Sequence, residues 1–258
     1  MERSFSSYCY TAEMNITNAL NRNSVFAFIV FLGFTVLAFW PSYFSRLDEQ
    51  PTYHFHAHGI AMLAWLGLLV TQALLIRNRR RPLHRRIGKL SYVIAPALII
   101  VTLNFMHFRL QGIPPQQLPP AAFYFIALIF NALVAFALLF GLAIYHRHNA
   151  PAHARYMVAT LFPLFTPVTD RLIGAYAPSI VGLVPRIAGT PILPVAGFLL
   201  AELILLVLSI FDMRSQSKTY AFPIAFMILL VYHVSVLTFH NLPAWQSFCR
   251  WLVQLPLS

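Results

Sequence analysis

The sequence predicts an all-α integral membrane protein, a bundle of about seven transmembrane helices with its N-terminus inside and its C-terminus outside. Three observations carry that prediction. Of 258 residues, 59% are hydrophobic and 10% charged, where a soluble domain carries about a quarter charged. The apolar residues gather into runs close to the ~20 that cross a bilayer core. The Lys and Arg residues sit mainly in alternate short loops, the positive-inside pattern. Mean hydropathy is correspondingly high, +0.69.

Taken in order, residues 1–23 are polar and mixed and read as a cytoplasmic lead-in without a cleavable signal, since no short apolar core precedes a small-residue site. The seven spans are then residues 24–44, 54–76, 88–109, 121–145, 154–177, 191–211 and 220–240, together a membrane domain over 24–240. The first ends in Trp40, Tyr43 and Phe44, an interfacial aromatic group. The loop between the second and third carries seven Lys/Arg from Arg77 to Lys89, and Arg147, Arg155, Arg214 and Lys218 share its side. The opposite loops carry Arg46, Arg186 and little else. Pro163 and Pro167 each remove a backbone donor from the fifth span and predict a kink there. Residues 241–258, with Trp245, Phe248 and Trp251, read as an external interfacial amphipathic tail.

The composition excludes some classes. A net charge of +11 would suggest nucleic acid in a soluble protein, but here it belongs to the loops and meets anionic lipid headgroups. Cys9 and Cys249 lie near opposite ends and on opposite sides, so neither a structural disulfide nor a thiolate metal site is expected. No HExxH, GxSxG, P-loop or paired CxxC is present.

The histidines suggest where chemistry sits. His54, His56, His58, His107, His233 and His240 fall toward the outer face; His84, His146, His148 and His153 lie in or beside inner loops, where basic residues need only meet headgroups. His54 and His58 are four apart and share a helical face, whereas His56 points away. Imidazole is the commonest protein metal ligand, so His54, His58, His107 and His240 are the expected metal ligands, for zinc, copper or iron. For haem, His58 and His107 would supply axial positions and Arg171 a partner for propionates. Asp170, Arg171 and Glu202 lie within spans, where charge costs several kcal/mol unless paired or wetted. They are the expected catalytic or proton-relay residues, with partners on other spans because neighbours on a helix diverge by ~100°.

A resemblance adds to this. His58-Gly59 with Trp65 and Gln72 in one span, then His84-Arg85 with Gly88, then His153, Arg155-Tyr156-Met157 and Arg171, resemble the DUF2306 family of uncharacterised polytopic bacterial membrane proteins, over residues 53–174. That resemblance implies a seven- or eight-span protein without an assigned reaction. A more distant similarity is to cytochrome b561-like proteins, in which histidines on neighbouring helices ligate haem. Here the histidines do not form two pairs, one near each membrane face.

The reading that follows is a multi-pass inner-membrane protein with a histidine-lined metal or haem site near the outer face. It would act in redox or electron transfer with a quinone or another membrane partner. One alternative is a proton-coupled transporter using buried Asp, Arg, Glu and His. Another is an intramembrane zinc-dependent lipid hydrolase with His54, His58 and an outer partner holding zinc and Asp170 as base.

Overall fold

The computed structural model of the chain describes residues 23–49, 52–187, 189–215 and 219–257. The expected lead-in, Asn23 excepted, lies outside the described residues, as do Cys9 and Lys218.

The described chain is nearly all helix: α1 (Asn23–Phe39), α2 (Tyr53–Arg77), α3 (Arg81–Gly88), α4 (Ser91–Phe108), α5 (Pro120–Tyr145), α6 (Ala150–Ala159), α7 (Phe165–Tyr176), α8 (Pro178–Val181), α9 (Pro194–Arg214), α10 (Ala221–Thr238) and α11 (Pro243–Val253). A two-residue antiparallel pair, Arg186–Ile187 with Thr190–Pro191, turns at Gly189, whose φ of +79° suits a residue without Cβ.

Five helical stretches are long and apolar enough to cross a membrane: Tyr53–Arg77, Arg81–Phe108, Pro120–Tyr145, Pro194–Arg214 and Ala221–Asn241. The other two expected spans take different forms. α1 is an apolar helix just below the length of the rest. The 154–177 stretch is broken into α6, a 3-10 turn at Phe162–Leu164, and α7. Pro163 and Pro167 account for the break, since each lacks the N–H that would continue the ladder.

The helices pack in neighbouring pairs, α2 on α4, α9 on α10 and α7 on α9. α5 stands between two cores. Its Leu133 and Phe136 pack with Trp65, Leu69 and Leu98 from α2 and α4 and Phe28 and Phe31 from α1. Its Ala135, Leu139 and Ala143, spaced at i, i+4 and i+8, face Ala159, Ala201, Leu205, Ala225 and Leu229 from α6, α9 and α10. Small residues on that second face let the backbones approach. Gly197 marks the tightest approach: a Cβ there would come within 2.8 Å of Thr166 Cα on α7. Gly197→Ala is therefore expected to lower stability by about 1–3 kcal/mol by overpacking α7 against α9, read as a drop in melting temperature; an unchanged melt would place the contact elsewhere.

At the end carrying Arg77 to Lys89, here the basic end, Gln72 ties α3 to α2. With its amide nitrogen toward His84 and its oxygen toward the chain, it bonds His84 O and Gly88 N at 3.1 Å each. His153 Nδ1 donates to Ala143 O at 2.8 Å. Arg155, by its place in the sequence a headgroup-facing loop charge, is instead fully buried against Asp212, 3.2 Å away, with the side chains 2% and 1% exposed. Arg155 also donates to Thr219 Oγ1 (3.1 Å), whose hydroxyl donates to Asp212 (2.9 Å). The second Asp212 oxygen accepts from Phe222 N in the first turn of α10 (3.2 Å), satisfying one of that helix's unpaired donors. One carboxylate thus joins α6, α9 and α10.

The opposite end is closed by α11, which packs on the protein rather than lying free. Trp245, Cys249 and Leu252 form its buried face against Met106, Leu110, Leu118 and Phe123. Trp245 Nε1 donates to Phe123 O at 3.1 Å, while Trp251 faces outward. Burial pushes the Cys249 thiol up to about 12. Since the thiolate is the reactive form, Cys249 in a Cys9→Ser chain is expected to resist maleimide at pH 8 until the protein is unfolded; rapid labelling of native protein would contradict its burial.

Candidate functional site

A cavity of about 600 Å³ lies between α1, α2, α4, α5, α7 and the start of α9, toward the end opposite the basic one. Its size is that of a small-molecule pocket, and its lining includes His58, Arg109, Asp170 and Arg171. A second hollow of about 640 Å³, between α5 and α10, is walled by apolar groups such as Val134, Leu138, Met227 and Val231. Among the described residues its lining has no carboxylate, histidine or basic side chain, so the first cavity is the candidate site.

The break in the 154–177 stretch delivers the charges. Pro163, Leu164, Thr166, Pro167, Asp170 and Arg171 all line the cavity, so the interrupted segment faces it. Although they diverge along the helix, Asp170 and Arg171 form their ion pair with each other rather than with charges on other helices. Arg171 Nη1 reaches Asp170 Oδ1 at 3.1 Å and Pro167 O at 3.0 Å. Its guanidinium also lies 4.4 Å from the centre of the Phe39 ring on α1. The long Arg arm folds back where a shorter cation would not. The pair stays partly open, with side chains 41% and 21% exposed.

α2 brings His58 to the same wall. Its Nδ1 is 3.1 Å from Thr102 Oγ1 on α4 and its ring stacks on Phe105 at 4.9 Å. These contacts hold the ring between α2 and α4 and leave Nε2 without a hydrogen bond among the described residues. Gly59 follows because the chain closes tightly there: a Cβ would meet the Tyr43 ring at 3.1 Å. Tyr43 in turn bonds His56 Nδ1 (3.1 Å). α5 contributes Tyr124, buried with its hydroxyl unpartnered among the described residues, and α10 contributes Tyr232, which donates to Leu128 O at 2.9 Å. Arg109 caps α4 at the cavity rim.

The remaining expected residues lie elsewhere. His54 is buried in a stack, 4.3 Å from Phe108. His107 Nε2 donates to Val253 O in α11 at 3.2 Å. His240 is in the turn that precedes α11. Of the four expected metal ligands only His58 lines the cavity, and among the described residues no group of three or more His, Cys, Asp or Glu side chains could hold a metal ion. Glu202 is also outside the cavity lining, paired with His233 Nδ1 at 2.8 Å between α9 and α10. His233 stacks on Phe198, whose ring also meets Tyr232 of the cavity wall.

Sequence reasoning passed over Tyr124, Tyr232, Thr102 and Arg155–Asp212. For the last a signal existed: Asp212 is the single acid among the described residues of the basic end.

No family model, no curated protein and no solved structure matches the chain.

Proposed function

We propose that the chain is a proton-coupled membrane carrier whose substrate site is the cavity beside the broken α6–α7 segment. That break carries the reading. Discontinuous spanning helices occur where they line a binding cavity, and in carriers substrate and coupling-ion sites form there. Ionisable groups within spans mark such pathways. Asp170 and His58 are the proton-accepting groups in contact with the cavity, and Glu202–His233 stands behind it across Phe198. The basic end is cytoplasmic by the positive-inside rule. Five long helices, α1 and the broken segment then make seven crossings of the inner membrane, with the N-terminus inside and the C-terminus outside. Reporter fusions after Ile76 and Asp212 are expected to read cytoplasmic, and fusions after Gln111 and at the C-terminus external; a cytoplasmic C-terminus would contradict seven crossings.

Access to the cavity tests the carrier reading without knowledge of the substrate. In a chain with Cys9→Ser and Cys249→Ser, a Met62→Cys thiol on the cavity wall is expected to react with a membrane-impermeant maleimide supplied from either side. Labelling from one side alone would leave a one-sided binding protein.

A second reading rests on His58. One histidine with a free Nε2 and two arginines on the same wall suits a haem held by a single axial ligand, with a redox role. An absorbance scan of purified protein decides it: a Soret band lost in His58→Ala supports haem, and a colourless protein removes it. A zinc hydrolase needs a third ligand beside His54 and His58, and the described residues supply no such trio.

A further inference from the structure

The cavity has a polar level and an apolar level. His58 lies five residues into α2, Tyr124 four into α5, and Asp170 six before the end of α7. At ~1.5 Å per residue these positions share one depth, ~6–9 Å from the helix ends. Leu66, eight residues further along α2, is ~12 Å deeper, and with Leu98, Leu133 and Phe136 it forms a wall without polar side chains.

The polar level carries more positive than negative charge: Arg109 and Arg171 each offer about five N–H groups, and among the described residues Asp170 is the one carboxylate lining the cavity with them. Arg171 already shares Asp170 and Pro167 O. Arg109 forms no ion pair among the described residues. The Tyr124 hydroxyl, on a residue 8% exposed, has no partner among the described residues. A ligand that supplies oxygen acceptors completes this level, and an unbranched apolar chain matches the wall beneath it.

Resting on the cavity as the carrier's substrate site, we infer that its ligand is a single-chain amphipath with an anionic carboxylate or sulfonate head. The head lies between Arg109 and Arg171, and the chain descends past Met62 to Leu66 and Phe136. A cationic head would find its carboxylate already held by Arg171, and a small polar anion would leave the apolar wall unmatched.

The test is equilibrium binding of radiolabelled decanesulfonate to the full chain in phosphatidylcholine nanodiscs. Decanesulfonate is expected to bind saturably, with decanol and methanesulfonate at least about tenfold weaker as competitors, because each lacks one half of the match. Arg109→Gln, at an exposed rim position, is expected to weaken binding about tenfold or more, and Met62→Trp to abolish it by filling the chain path. Loss of decanesulfonate binding when phosphatidylglycerol replaces part of the phosphatidylcholine would give the site to a two-chain anionic bilayer lipid and overturn the single-chain ligand. Decanol binding as tightly as decanesulfonate, or an indifferent Arg109→Gln, would overturn the inference. Saturable binding with one-sided Met62→Cys labelling would remove the carrier and keep the ligand class; two-sided labelling without binding would do the reverse.

Discussion

Asp212→Ala is expected to destabilise the protein by about 3–5 kcal/mol, the cost of leaving a buried Arg without its counter-charge. Arg155 and Asp212 are almost wholly removed from solvent, so neither charge falls back on water. The same carboxylate accepts from Thr219 and from Phe222 N at the start of α10, so its removal also orphans a helix terminus. Asp212→Asn keeps an acceptor for those donors and is expected to cost less than Ala. The double variant Arg155→Met with Asp212→Leu removes both charges and is expected to recover much of the loss, since apolar pairs often replace buried ion pairs without penalty. Thermal unfolding of the purified variants in one detergent checks the order. Asp212→Ala melting with wild type would show that this end is not held by the pair.

Asp170→Asn is expected to behave in the opposite way, leaving the melting temperature nearly unchanged while removing proton coupling. The Asp170–Arg171 pair is partly exposed, and exposed pairs contribute ~0–1 kcal/mol. Arg171 also keeps Pro167 O and the Phe39 face. Asparagine has the size of aspartate but takes no proton, so exchange of substrate is expected to persist while its acceleration by an inward proton gradient is lost. Transport still driven by the gradient in Asp170→Asn would move the proton site to His58 or to Glu202–His233.

The two variants show what the sequence made legible. Hydropathy and basic loops point to the membrane class and to the basic end, because both are sums over local composition. Pro163 and Pro167 announce a bend, and the backbone breaks there. The partners of charged residues were another matter. Residues 155 and 212 are far apart in sequence, and no local pattern records that α6 and α9 meet. The histidines teach the same lesson in reverse. Position along a helix sets depth, so His54, His58, His107 and His240 share one end of the bundle. Which way each faces depends on how its helix is rotated against its neighbours, and that rotation sends His54 into an aromatic stack and His107 to the α11 backbone. Tyr124 and Tyr232 lie inside apolar runs, and no local pattern marks them as part of the cavity wall.

Counterflow measures most directly whether this cavity carries a substrate across the membrane. Decanesulfonate stays anionic and does not cross lipid as a neutral acid, so its exchange reports the protein. Liposomes holding the wild-type chain and unlabelled decanesulfonate are expected to take up external labelled decanesulfonate transiently above equilibrium, and Met62→Trp liposomes are expected not to. Uptake no faster than in protein-free liposomes, by a chain that binds the same probe in nanodiscs, would contradict the carrier.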